Sequence, residues 1–180
     1  MRWIVFAALS AASFSAMAGA VDVNLSNDTI EAKYQGPAGA ADWTVGGLYN
    51  RDDKNWDINL GVLATGDTSV GGSRIEGGVG GKVYTAHVAD NDVGALALGG
   101  QVRWFPGNGS FAIGGYAFYA PKVVTFLDAT KFYDAGARAE VEVIRNSFVY
   151  VGYRWTRASL DNNTDPYFDK GGFAGVMVKF

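Results

Sequence analysis

From Val21 onward the apolar residues fall at every second position, in short rows broken by turn-forming residues, and they avoid the i, i+3, i+4 spacing of an amphipathic helix. The rows are Val21, Val23, Leu25; Ile30, Ala32, Tyr34; Trp43, Val45, Gly47, Tyr49; Trp56, Ile58, Leu60, Val62; and Ile75, Gly77, Val79, Gly81, Val83. They continue with Leu96, Leu98, Gly100, Val102, Trp104; Phe111, Ile113, Gly115, Ala117, Tyr119; Tyr133, Ala135, Ala137, Ala139, Val141, Val143; Val149, Val151, Tyr153, Trp155; and Ala174, Val176, Val178, Phe180. No charge interrupts any of these ten rows. A period of two belongs to β-strands, whose successive side chains point to opposite faces. The pattern predicts an all-β chain.

The complementary rows carry Asp22, Glu31, Lys33, Asp57, Arg74, Glu76, Lys82, Gln101, Arg103, Asp134, Arg138, Glu140, Glu142 and Arg154, with glycine and alanine between them. In a soluble sandwich or barrel the apolar rows pack inside and the polar rows meet water. In a membrane barrel the assignment inverts. Three features favour inversion. Aromatics gather towards strand ends, with Trp43, Trp56, Trp104, Trp155 and Phe180 as the expected membrane-interface residues. The polar rows mix both signs of charge with small residues, which suits a narrow lumen where ions pair. The final strand also ends on Phe180, as closing strands of outer-membrane barrels do. About ten residues per strand, at ~3.3 Å each and tilted ~40°, cover the ~25 Å apolar band of such a membrane.

Every backbone amide in lipid needs a partner, so the sheet has to close on itself. Counting back from Phe180, long connections (Leu160 to Asp169, Pro121 to Lys131, His87 to Asp92, Arg51 to Lys54) alternate with tight ones (Arg145-Asn146, Pro106 to Gly109, Pro37 to Ala40). One set would face the outside and the other the periplasm. Thr65 to Gly72 is too long for its tight class and fits this alternation poorly. With both termini periplasmic the strand number is even. A fold-back at Ser26-Asn27-Asp28 gives ten strands; a single bent strand from Val21 to Gln35 gives eight.

Composition sharpens this picture. Glycine occurs 25 times in 180 residues, about twice the usual ~7%, which disfavours helices. The first residues, "MRWIVFAALSAASFSAMA", place Arg2 before a short apolar run and an Ala16-Met17-Ala18 site. A cleaved secretory signal peptide over residues 1–18 is expected, with the barrel over 19–180; Ala18-Gly19-Ala20 offers a second cleavage site. There are no cysteines, so no disulfide holds this exported chain together. The formal net charge of −3, without a basic patch, argues against nucleic-acid binding.

The stretches "GGQVRWFPGNGSFAIGGYAFYAP", "GARAEVEVIRNSFVYVGYRW" and "GGFAGVMVKF" resemble the corresponding parts of the YfaZ family of Gram-negative outer-membrane proteins, over nearly the whole mature chain. The resemblance implies location and architecture. It brings no established activity and no functional residues.

Three local motifs have an ordinary explanation beside a chemical one. His87 is the only histidine, which excludes multi-histidine metal sites. It falls near the outer rim with Asp90 and Asp92, where lipid A-modifying barrels keep His, Ser and an acid, but the H-x-S spacing is replaced by His87-Val88-Ala89. Asp161 to Asp165 matches half of a calcium loop, yet Pro166 and Gly172 stand where its glycine and glutamate belong. Glu76 to Lys82 has the glycines of a phosphate loop without its terminal Ser/Thr or a helix, and strand curvature explains them better. No cofactor and no metal are expected.

The interior ions carry the main expectation. Buried charges without partners cost several kcal/mol, so Arg74, Lys82, Arg103, Arg138 and Arg154 should pair with Glu76, Asp134, Glu140 and Glu142. Such a network either plugs the lumen or lines a narrow water path; a barrel of this size, filled mostly by side chains, favours the plug. The expected protein is a monomeric, non-enzymatic outer-membrane barrel with a structural or surface-interaction role. A narrow solute channel is the alternative, and a lipid-modifying enzyme at the outer rim the third. Its expected partners are outer-membrane lipid and lipopolysaccharide, and the barrel-assembly machinery through the strand ending at Phe180.

Overall fold

The computed structural model describes residues 18–88, 91–107, 109–127, 129–160 and 167–180. The expected signal segment therefore lies outside the described residues except for Ala18. Eleven strands follow in chain order: β1 (Ala20–Leu25), β2 (Thr29–Ala38), β3 (Ala41–Asn50), β4 (Trp56–Val70), β5 (Ser73–Val88), β6 (Asn91–Phe105), β7 (Phe111–Ala120), β8 (Thr125–Leu127), β9 (Ala129–Ile144), β10 (Ser147–Leu160) and β11 (Tyr167–Lys179). Ten of them form one antiparallel ring in sequence order, closed where β1 pairs with β11 from Ala20↔Lys179 to Leu25↔Ala174. The short β8 does not belong to that ring. It follows a 3-10 turn at Lys122–Val124 and adds to the outer end of β6 beyond the reach of β7.

The fold-back at Ser26 to Asp28 is present, with Asp22 opposite Lys33 and Leu25 opposite Ile30. That turn makes ten strands and removes the eight-strand alternative. The poor fit at Thr65 to Gly72 also disappears. Thr65 to Val70 continues β4 and pairs residue by residue with Ser73 to Gly78, leaving a tight turn at Gly71 and Gly72, both at positive φ (59° and 78°). Turn signals within a polar run mimic a loop, whereas pairing to the neighbouring strand decides that the run is sheet. This hairpin reaches past the end of β3, whose last partner on β4 is Ala64. Its Thr65 to Val70 side chains are exposed.

The apolar rows point outwards. Leu60, Val79, Leu98 and Val151 expose 57, 68, 68 and 63% of their surface, a distribution that water would not tolerate and acyl chains require. The ends of the wall carry the large aromatics. Trp56 and Trp155 stand towards the outer end, and Trp104 and Phe180 towards the periplasmic end, all exposed. Trp43 is half-buried against Tyr34, with ring centroids 5.0 Å apart, and Tyr34 in turn neighbours Phe180.

Two glycines let the wall bend into a cylinder. A Cβ on Gly80 would lie 2.0 Å from the Val62 carbonyl oxygen, and one on Gly99 2.0 Å from that of Ala117. These two residues pair with each other across β5 and β6, so the glycines of the apparent phosphate loop serve strand curvature.

Candidate functional site: the lumen

The inward rows meet in two different interiors. Towards the outside, Leu63, Tyr84, Val88, Val93, Phe118, Phe132 and a set of alanines form one cluster, nearly all of it shielded from any solvent. Tyr84 and Phe132 stack with centroids 4.5 Å apart. Beside this cluster, next to the outer turn of β1–β2, Arg154 is 1% exposed and donates to Glu31, Asp169 and Asn24. Asn24 in turn donates to Glu31 at 2.7 Å, and Lys33 pairs with Glu31 at 2.7 Å. Together these two groups occupy much of the outer half.

Towards the periplasm the lumen opens into a cavity of about 630 Å³, bounded by residues of β1–β7, β9 and β11. Ions run along its wall in a chain. Glu76 accepts from Arg103 at 2.8 Å, from Lys179 at 3.2 Å and from Arg74 at 3.3 Å. Arg103 also reaches Glu140, which is fully buried and takes Arg138 at 2.7 Å; Arg138 continues to Asp22, which accepts the Tyr150 hydroxyl. Gly114 leaves room for this junction, since a Cβ there would lie 3.2 Å from the Glu140 carboxylate. The buried carboxylates of this ion chain, Glu140 and Asp22, are thus met by charged donors, the condition under which interior ions persist.

The expected network of Arg74, Glu76, Lys82, Arg103, Asp134, Arg138, Glu140, Glu142 and Arg154 is brought together only in part. Arg74, Arg103, Arg138 and Arg154 do pair with carboxylates, though Arg154 takes Glu31 and Asp169 rather than the acids expected for it. Three residues are corrections. Asp134 has no cation partner among the described residues; it accepts the hydroxyls of Tyr84 and Thr156, each at 2.9 Å. Glu142 lies by the β9–β10 turn and accepts the Asn146 amide at 2.8 Å, one residue row too close to the periplasm to join the lumen. Lys82 is 6% exposed and meets the ring of Phe118 at 4.2 Å rather than a carboxylate.

Aromatic faces inside the barrel were not anticipated. Arg74 and Arg103 lie over Phe105, Arg103 also over Phe148, Arg138 over Tyr150 and Arg154 over Phe173, at 4.2 to 5.0 Å. A guanidinium over a ring gains about 0.5–2 kcal/mol, the larger value when water is excluded. The signal for these rings was their parity. Phe148 and Tyr150 share a row with Arg154, and Phe173 shares one with Lys179.

At the outer rim His87 Nδ1 lies 2.8 Å from Asp92 Oδ1, and both are exposed enough to exchange with solvent. Asp90 and the Asp161 to Asp165 stretch lie outside the described residues. Among the described residues no three His, Cys, Asp or Glu side chains converge as a metal site.

An antiparallel ring of ten strands, apolar on its outside and ionic within, defines a transmembrane outer-membrane β-barrel. The family described as YfaZ precursor matches residues 1–180, and the chain belongs to that family. The "Outer membrane protein YfaZ" of Escherichia coli (strain K12) is 33% identical over 104 residues, a stretch that spans 57% of this chain and 57% of the relative. The protein is located in the outer membrane. Among solved structures, the outer membrane protease OmpT from Escherichia coli superposes with a TM-score of 0.46 at 12% identity, over 91% of this chain and 93% of that one.

Proposed function

We propose that this barrel is a non-conducting, non-enzymatic element of the outer membrane, structural in role and touching its surroundings through the outer loops. The observation that carries the reading is the packed apolar cluster around Tyr84, Phe118 and Phe132, which narrows the lumen between the ionic cavity and the outer face. The Arg154–Glu31–Asp169 group supports it, because moving an ion past that group requires breaking buried pairs that cost several kcal/mol each. Lipid and lipopolysaccharide are the expected neighbours. Val123, Phe126 and Leu127, 86, 59 and 66% exposed on the β7–β9 connection, are the apolar side chains offered to them.

Planar-bilayer recording tests the reading: the purified protein is expected to give no steady current. A reproducible open current that changes in Arg138→Gln or Glu140→Gln would replace the plug by the second reading, a narrow channel, which the large periplasmic cavity favours. The non-enzymatic part is tested separately. Cells overexpressing the protein should show unaltered lipid A masses; altered masses that vanish in His87→Ala would overturn it.

A further inference from the structure

The deep end of the periplasmic cavity has more donors than acceptors. Lys82 points there, nine-tenths buried, and no carboxylate of a described residue lies within ion-pair distance of its ammonium. The nearest acids are committed elsewhere: Asp134 to the Tyr84 and Thr156 hydroxyls, Asp57 to Asn59 at 3.0 Å, and Glu31 to Lys33 and Arg154. Lys33 also faces the cavity. Its ammonium lies 5.0 Å from the centre of the Tyr116 ring, and that of Lys82 lies 5.9 Å from the same centre. The ring itself borders the cavity and fits because residue 136 is glycine, where a Cβ would come within 3.1 Å of the Tyr116 hydroxyl. No described residue hydrogen-bonds that hydroxyl, which leaves it free to donate into the open space.

A buried ammonium without an anion is an unfavourable arrangement that a ligand can relieve. Two ammonium groups, 5.0 and 5.9 Å from the Tyr116 ring centre, and the phenol hydroxyl offer three donors around one part of the cavity. That geometry suits a tetrahedral oxyanion with three free oxygens better than a planar carboxylate with two. At the entrance, Arg74, Arg103 and Lys179 all meet Glu76, and Asp42 and Asp67 lie on the same wall, so an entering anion passes between paired charges.

We propose that the floor of this cavity, formed by Lys33, Lys82 and Tyr116, binds the phosphate group of a small phosphorylated molecule entering from the periplasm. The remaining volume, within the ~300–1,000 Å³ range of small-molecule sites, accommodates the organic part. The site depends only on the periplasmic opening. It stands whether or not the outer half conducts.

The test is calorimetric titration of the full barrel, folded in detergent micelles, with inorganic phosphate, glycerol phosphate and succinate in turn. Saturable binding of both phosphates is expected, weakened at least tenfold in Lys82→Met and severalfold in Tyr116→Phe. Lys82→Met should be more heat-stable than the parent in the absence of anion, because it removes an unmatched buried charge. Heat-modifiability on a gel confirms that each variant is folded; should Lys82→Met not fold, Tyr116→Phe, which keeps size and charge, carries the comparison. The proposal is overturned if folded parent protein shows no saturable phosphate binding, if the folded variants bind as the parent does, or if succinate binds as tightly as glycerol phosphate. Phosphate binding that survives Lys82→Met but is lost in Arg74→Gln would place the anion at the entrance and equally overturn it.

Discussion

The two halves of the lumen solve the same problem in opposite ways. Both are enclosed by strands whose other face meets lipid, so polar groups in either half are costly to leave without a partner. The outer half packs rings and alanines beside a buried polar group centred on Arg154. The periplasmic half keeps its space and arranges charges along the wall, where Glu76 and Lys179 remain 27 and 34% exposed. Ions with access to water exchange partners cheaply, whereas an ion in the packed half depends on every contact it has. The proposed plug and the proposed ligand site thus fall in different halves.

The largest effect is expected between the halves. Gly99→Val forces a side chain into the Ala117 carbonyl, so the wall should fail to close and the heat-modifiable band on a gel should be lost. Next comes Arg154→Met, which removes the cation from Asp169 and leaves Glu31 with Lys33 and Asn24; destabilisation of about 3–5 kcal/mol is expected in urea unfolding of the micelle-bound barrel. A loss below about 1 kcal/mol there would erase the distinction between the halves. Phe132→Ala, at a fully buried position, should cost about 3 kcal/mol and, if the proposed plug holds, turn a silent bilayer into one with intermittent current. Arg74→Gln gives the smallest effect. With its side chain 49% exposed at the entrance, it should change stability by less than about 1 kcal/mol, measured in the same urea series.

Most of the wall is legible in the chain itself. A period of two fixes which residues share a face, and ten charge-free rows leave lipid as their natural environment. The side of the wall on which Phe148, Tyr150 and Phe173 stand also follows from parity, although their apolar character hides it. Partner choice does not follow. Arg154 and Glu31 are separated by 123 positions, and only the closure of β1 onto β11 brings them together. Glu142 shares a row with Glu140 yet lies at the turn, because strand tilt and register set depth along the cylinder. Lys82 likewise reads as one more cation of an ionic row.

Alternation and turn spacing thus determined by themselves that this chain is a closed barrel with lipid outside, since these are local properties of neighbouring residues. Tertiary structure alone decided how the interior divides into a packed outer half and an open periplasmic cavity. Which side chains meet at one depth depends on register around the ring, and register is a property of all ten strands at once.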